Sequence, residues 1–247
     1  MNVIKFFPLL VLLLLFSPRA QAERWVIATL EWPPFICSRC PDNGAAANAL
    51  RETLKKVDVN VEFVFSSWTQ TVKKGNRPDM IGYFPAWKEE VLPEFIASPV
   101  LFRSPLGFIE PRGKPLVWNE LTDLRGKKIG VTEDYGNTVE FNRLVKNKTI
   151  HVEAVISDDT NVRKVALGKL DAALMDINNA RYLIYVLQPH LAGRVSINKK
   201  IVEDKELFFA FNKHNVEKRK KLEKALTLVN FQRMVDDYLL RYARRSD

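Results

Sequence analysis

From residue 25 onward the hydrophobic pattern switches repeatedly between the period of a strand and that of a helix. This alternation limits the possible folds more than any other feature of the chain. Residues 25–30 form a short apolar run that reads as a buried strand. Asp42 and Asn43 are placed to cap a helix carrying Ala46, Leu50, Leu54 and Val57 on one side. Val59, Val61, Phe63 and Phe65 alternate strictly, which is a strand signal. Ser66 or Ser67 then caps a short helix ending near Gly75, and residues 79–84 form the next strand. The order is β-α-β-α-β, the pattern of a parallel sheet covered by helices and joined by right-handed crossovers.

The same series recurs after Pro115, with strands at 127–131, 149–156 and 170–175. Helices at 137–146 and 158–167 separate them, the second capped by an aspartate. Residues 99–115, rich in Pro, Gly and strand formers, connect the two series. Beyond them, 205–212 reads as a strand and 216–244 as one long helix with Leu222, Leu226, Val229, Tyr238, Leu239 and Tyr242 at helical spacing. The expected fold is therefore α/β and two-lobed, with lobe 1 over 23–110 and lobe 2 over 111–204. A return strand and C-terminal helix over 205–247 rejoin lobe 1. Two crossings leave a cleft between the lobes at the carboxyl ends of the strands, where open α/β sheets bind ligands.

Residues 1–22 stand outside this pattern and have the marks of a signal peptide. Lys5 supplies a positive n-region, 6–16 is an apolar run, and Ala20-Gln21-Ala22 is a small-x-small cleavage site. The run falls short of the roughly 20 residues needed to span a bilayer. An uncleaved membrane anchor is the alternative, and no cysteine follows the site to carry a lipid. A periplasmic protein beginning at Glu23 is expected.

Hydrophobic residues make up 47% of the chain and charged ones 27%, which excludes a disordered or collagen-like protein. The formal charge is +9. Without Lys5 and Arg19 there remain 36 basic and 29 acidic residues, spread along the chain. Export and this dispersal argue against nucleic acid as a partner. The basic runs at 218–221 and 241–245 read as solvated helix ends, with an anionic membrane surface as the other possible partner.

Cys37 and Cys40 are the two cysteines, and in an oxidising compartment a disulfide is the default. A redox pair is the alternative, because Cys-Ser-Arg-Cys precedes a helix. His151, His190 and His214 lie apart without ligand spacing, so no metal site is expected. With no phosphate loop or Ser-His-Asp pattern, no cofactor is expected either.

The ordered motifs resemble those of the family 3 solute-binding proteins of ABC importers. The marks are Glu31-Trp32-Pro33-Pro34-Phe35, Ala97-Ser98-Pro99, the run from Leu121 to Val131, Leu167-Gly168-Lys169-Leu170-Asp171-Ala172, Asp176, and 205–211. Together they span residues 24–240. The resemblance implies a type II periplasmic-binding-protein fold, a monomeric Venus flytrap that captures a small solute and delivers it to a permease in the inner membrane. It also implies that Asp176 holds a ligand ammonium, beside its role as a helix cap. The family's carboxylate-binding Arg has no counterpart in 83–90. Lys88 is a point-charge substitute that lacks the guanidinium fork, and Glu89 and Glu90 beside it can neutralise it.

Trp32, Tyr83 and Trp87 sit just past strand ends and are the foremost aromatic candidates, with Phe35, Trp68 and Phe84 nearby. Tyr135 lies on the loop after the first strand of the second lobe. Thr138 at a helix start is placed to hold an anionic group. Two other functions fit the same scaffold. One is an enzyme resembling cyclohexadienyl dehydratase, with Glu133 and Asp134 as its acids, and the other is a periplasmic ligand sensor. The leader reading is checked by intact mass: protein from a periplasmic extract should begin at Glu23. Retention of Met1 in a membrane fraction would overturn it.

Overall fold

The structure is a computed structural model that describes residues 22–243. The expected leader lies outside these residues apart from Ala22, as do Arg244, Arg245 and the side chain of Tyr242. Nine strands form one curled sheet. They are β1 (Glu23–Thr29), β2 (Val59–Phe65), β3 (Gly82–Trp87), β4 (Phe95–Ala97), β5 (Phe102–Pro111), β6 (Lys128–Thr132), β7 (His151–Val155), β8 (Ala172–Asp176) and β9 (Val195–Asn212). Their order is β2-β1-β3-β9-β5-β8-β6-β7, with β4 also on β9. The pairs β1–β2, β1–β3, β6–β7 and β6–β8 are parallel, as the doubled β-α-β pattern requires. The fold is two-lobed α/β, with one parallel set in each lobe.

The two sets are joined by a long antiparallel ribbon. Strand β5 pairs with β9 from Phe102 opposite Leu207 to Pro111 opposite Val195. The return strand thus begins ten residues before its expected start at 205. The run Asn198-Lys199-Lys200 and Glu203-Asp204-Lys205 hides it from a hydrophobic-period reading, because this stretch is largely exposed and paired mainly along its backbone. Strand β3 is likewise displaced, to 82–87 from an expected 79–84. The ladder to β9 shifts register between Tyr83 and Ala86, so the irregularity accommodates Pro85, which has no amide to give.

The helices are α1 (Ala45–Lys55), α2 (Trp68–Gly75), α3 (Val139–Lys146), α4 (Asp158–Ala166), α5 (Ile177–Tyr182), α6 (Val216–Leu226) and α7 (Phe231–Ala243). Three differ from expectation in ways that matter. Asp42 and Asn43 do not cap α1: they form a tight turn with positive φ, and Gly44 occupies the N-cap. The first amides of α1 instead donate to the carbonyls of Pro34 and Phe35 at 2.9 and 2.8 Å, tying the loop after β1 onto the helix. Helix α4 is capped by Ser157 and not by an aspartate, which leaves the Asp158 side chain for other contacts. The single C-terminal helix expected over 216–244 is two, because Asn230 Oδ1 accepts from the Arg233 amide and starts a new one.

The main core packs Trp25, Ile27, Leu50, Leu54, Phe209, Phe211, Leu222 and Val235 between the first lobe's sheet and α1, α6 and α7. A second cluster around Ile109, Val162, Ala173 and Ile184 lies beneath α4 and α5. Cys37 and Cys40 form a disulfide, as expected from the compartment. No described helix is long and apolar enough to cross a membrane. Gly82 has φ of 153°, and a Cβ there would stand 2.0 Å from the Ala210 carbonyl oxygen of β9. Gly82→Ala should therefore cost roughly 2–4 kcal/mol, read as a lowered urea midpoint at unchanged m-value.

Candidate functional site

Every segment that leaves a parallel strand at its carboxyl end turns toward one cleft. From the first lobe come Leu30, Glu31 and Trp32 after β1, 66–69 after β2, and Trp87 to Glu90 after β3. From the second come Thr132 to Tyr135 after β6, 156–159 after β7, and Asp176 at the end of β8.

The inner end of the cleft is filled by aromatic rings. Trp32 stacks on Phe35 with centroids 4.6 Å apart and meets Trp87 edge-on at 6.2 Å. Tyr135 of the opposite lobe stands edge-on to both Trp87 and Trp68 at 6.4 Å. What remains are two pockets of about 20 and 10 Å³, each with room for about one water molecule. Outside them, a chamber of about 620 Å³ opens between the lobes.

Three hydrogen bonds hold the lobes together here. Gly136 N donates to Glu90 Oε1 at 2.9 Å, Thr69 Oγ1 to Asp134 Oδ2 at 2.7 Å, and Asn179 Nδ2 to the Pro33 carbonyl at 2.5 Å. These bonds bridge the two walls of the cleft.

Three carboxyl groups border the inner pockets. Asp176 is 2% exposed; its Oδ1 accepts from the Asn179 amide at 2.8 Å and caps α5, while Oδ2 has no hydrogen-bond partner. Burial pushes its carboxyl up to about 7, against the lowering effect of the nearby Ser104 hydroxyl and the amides of Asn178 and Asn179. Asp158 accepts from Thr132 Oγ1 at 2.7 Å, and burial raises it to about 6. Glu90 accepts from the amides of Gly136 and Trp87, yet loss of water still raises it to about 7.

Of the expected site residues, Trp32, Trp87, Tyr135 and Asp176 come together at this inner end. Tyr83 does not reach the walls: it is fully buried, with its hydroxyl donating to the Glu90 carbonyl at 2.5 Å. Lys88 points away, its Nζ 5.2 Å from the centre of the Phe208 ring. Thr138 lines a separate groove with Trp118 and Lys200, and its hydroxyl accepts from the Phe141 amide to cap α3.

Sequence reasoning passed over Glu90, Asp158 and the buried Lys205. Glu90 was read as a counter-charge for Lys88 and Asp158 as a cap. Both sit just past strand ends, as Trp32 does, but that position alone does not separate a wall of the cleft from a counter-charge or a cap. Lys205 lies behind the Trp87 ring at 5.4 Å, paired with Glu89 at 2.7 Å, so its charge does not open onto the cleft. Among the described residues no cluster of His, Cys, Asp and Glu is arranged to hold a metal ion.

No protein-family model matches the chain, and no curated protein matches it. Solved structures do. An ancestral arginine-binding protein bound to arginine superposes with a TM-score of 0.71 and 22% identity, covering 90% of this chain and 98% of its own. A histidine kinase sensor domain with similarity to periplasmic binding proteins gives 0.71 at 16% identity, over 90% and 96%. A structure from work on glutathione import through GshT and the cystine ABC importer TcyBC of Streptococcus mutans gives 0.69 at 18%, over 88% and 95%.

The three raised carboxyls make the empty protein's stability depend on pH in an unusual sense. Each has a folded pKa above the unfolded value of about 4, so the folded chain holds more protons than the unfolded one between about pH 4 and 7. Their contribution is complete below about pH 4 and is lost as pH rises through 6 to 7. The ligand-free protein should melt higher at pH 5 than at pH 8 in a thermal scan, and Asp176→Asn should shrink that difference.

Convergence of both strand sets on one cleft, together with these superpositions, establishes the two-lobed type II periplasmic-binding-protein fold for this chain.

Proposed function

We propose that the protein is a non-enzymatic receptor that captures a small polar or cationic solute in the periplasm by closure of its lobes, and that it serves an ABC importer. The observation that carries this reading is the set of walls around one cleft. Trp32, Trp68, Trp87, Tyr135, Asp158 and Asp176 come from both lobes and surround one space. A site split between two bodies joined by a two-stranded ribbon binds best when they close, because each half alone leaves the ligand exposed to water. The neighbours named for arginine binding and for a cystine ABC importer support capture and delivery.

The reading departs from an ordinary amino-acid receptor. No Arg, Lys or His lines the inner pockets or the outer chamber among the described residues, so nothing charged awaits a carboxylate. Losing a charge-assisted bond costs roughly 1.5–3 kcal/mol, about ten- to a hundredfold in affinity.

A thermal-shift screen of amino acids, amines, short peptides and cyclic acids identifies solutes, since a ligand of the native state raises its stability. Calorimetry and small-angle scattering then test the reading: a bound solute should reduce the radius of gyration, and Asp176→Ala should weaken it at least tenfold. A saturating, tightly bound solute that leaves the radius unchanged would overturn closure. Common polar amino acids should bind weakly, and micromolar binding of one would show a carboxylate partner within the cleft.

Two other readings each have one supporting observation. Three carboxyls titrating near neutrality in a cleft suit a general acid or base, and so favour a dehydratase-like enzyme. Mass spectrometry of each bound solute after incubation decides between them, with unchanged solute expected. The kinase sensor-domain neighbour favours a signalling role. Loss of solute uptake on deletion of the gene is the result expected for import.

A further inference from the structure

The outer chamber has a charge character opposite to that of the whole chain. The protein carries 38 basic and 29 acidic residues, yet Glu31, Glu133, Asp134, Asp158 and Asp159 line the chamber and, among the described residues, no basic one does. Some of these carboxylates have partners. Asp159 is paired with Arg163 and accepts from Gln188, Asp134 accepts from Thr69, and Glu31 accepts from the Ser38 amide. The first pair takes up one negative charge; the hydroxyl and the amide take up none. Glu133 is exposed and has no side-chain partner among the described residues.

The buried polar atoms point the same way. Asn179 is 1% exposed and lines the chamber. Its Nδ2 is committed to the Pro33 carbonyl, which leaves Oδ1 as an acceptor with no donor. Asp176 Oδ2, in the inner wall, is a second acceptor with no donor. Buried acceptors are normally satisfied, and two of them beside one cleft call for an occupant that brings N–H or O–H groups.

Inner and outer spaces are continuous in their walls. Trp68 and Tyr135 border both the larger inner pocket and the chamber, and Thr132 and Asp158 border both the smaller pocket and the chamber. The faces of Trp and Tyr attract cations and cost a flexible alkyl chain nothing in hydrogen bonds.

We propose that the cleft takes a linear polyvalent organic amine, with one ammonium among the aromatic rings beside Asp176 and a second in the outer chamber near Glu133 and Asn179. The proposal rests on the receptor reading above and names its substrate class. A single ammonium leaves the chamber's carboxylates and the Asn179 acceptor unanswered; an α-amino acid adds a carboxylate that faces only like charge. A diamine or polyamine satisfies both ends, and its methylene chain lies along Trp68 and Tyr135.

The probes are 1-aminobutane, 1,4-diaminobutane and spermidine, titrated calorimetrically into the mature chain at pH 8. Affinity should rise at least tenfold from the monoamine to the diamine. Replacing Glu133→Gln together with Glu31→Gln should bring the ratio of the two affinities close to one, with the melting temperature confirming the fold. Asp176→Asn should weaken all three amines. Equal affinity for 1-aminobutane and 1,4-diaminobutane would overturn the proposal, as would an undiminished ratio in the double variant. If none of the amines binds while another solute contracts the protein in scattering, the polyamine assignment falls and the receptor reading stands. If no solute contracts it, the receptor reading falls as well.

Discussion

The antiparallel ladder between β5 and β9 is the interaction on which the rest of the molecule depends. It joins the two parallel sets, with β9 paired to β3 of the first and β5 paired to β8 of the second. Its backbone hydrogen bonds tie the two lobes together while leaving the side chains on either side free to differ. Because both strands run through it, the strand ends of the two lobes must face each other across one gap. The position of the cleft follows from this topology before any side chain is considered.

Placed at that gap, a short list of residue types determines what it can do. Aromatic rings fill most of the inner end, and the buried indole N–H of Trp87 has no hydrogen-bond partner among the described residues. Carboxyls behind them lose water when the lobes meet, and loss of water raises their pKa because the charged form suffers most. Lys205 sits behind Trp87 and is held by Glu89 and Glu203, 2.7 and 3.6 Å away. Burial without a facing cation is what distinguishes this cleft from one designed around a carboxylate ligand.

Much of the scaffold was legible because strand and helix impose different periods on apolar residues. The alternation at Val59, Val61, Phe63 and Phe65 and the stripe of α1 needed nothing beyond the sequence. Strand β9 was half hidden, since a ribbon exposed to water has no reason to be apolar, and its register comes from β5 across about a hundred residues. The break at Asn230 was missed because both helices it separates share the same buried stripe. In the cleft, Trp32, Trp87 and Asp176 could be chosen from their place after strands. Glu90 and Asp158 could not be distinguished from a counter-charge and a cap, because only the neighbours Gly136, Thr132 and Ser157 show what each side chain is left to do. Tyr83 shows the reverse: it lies within β3 and not past its end, and its ring packs against Trp68 and Phe95 in the core.

The raised carboxyls have one further consequence. With no ligand present and at pH below about 7, Asp176 and Glu90 hold protons, so the packed rings surround a site that is close to neutral. A cation that enters displaces a proton from the carboxyl it meets, one positive charge leaving as another arrives. Loading of this kind is an ion exchange: the long-range field of the protein barely changes, and the buffer, not the protein surface, carries the record of binding.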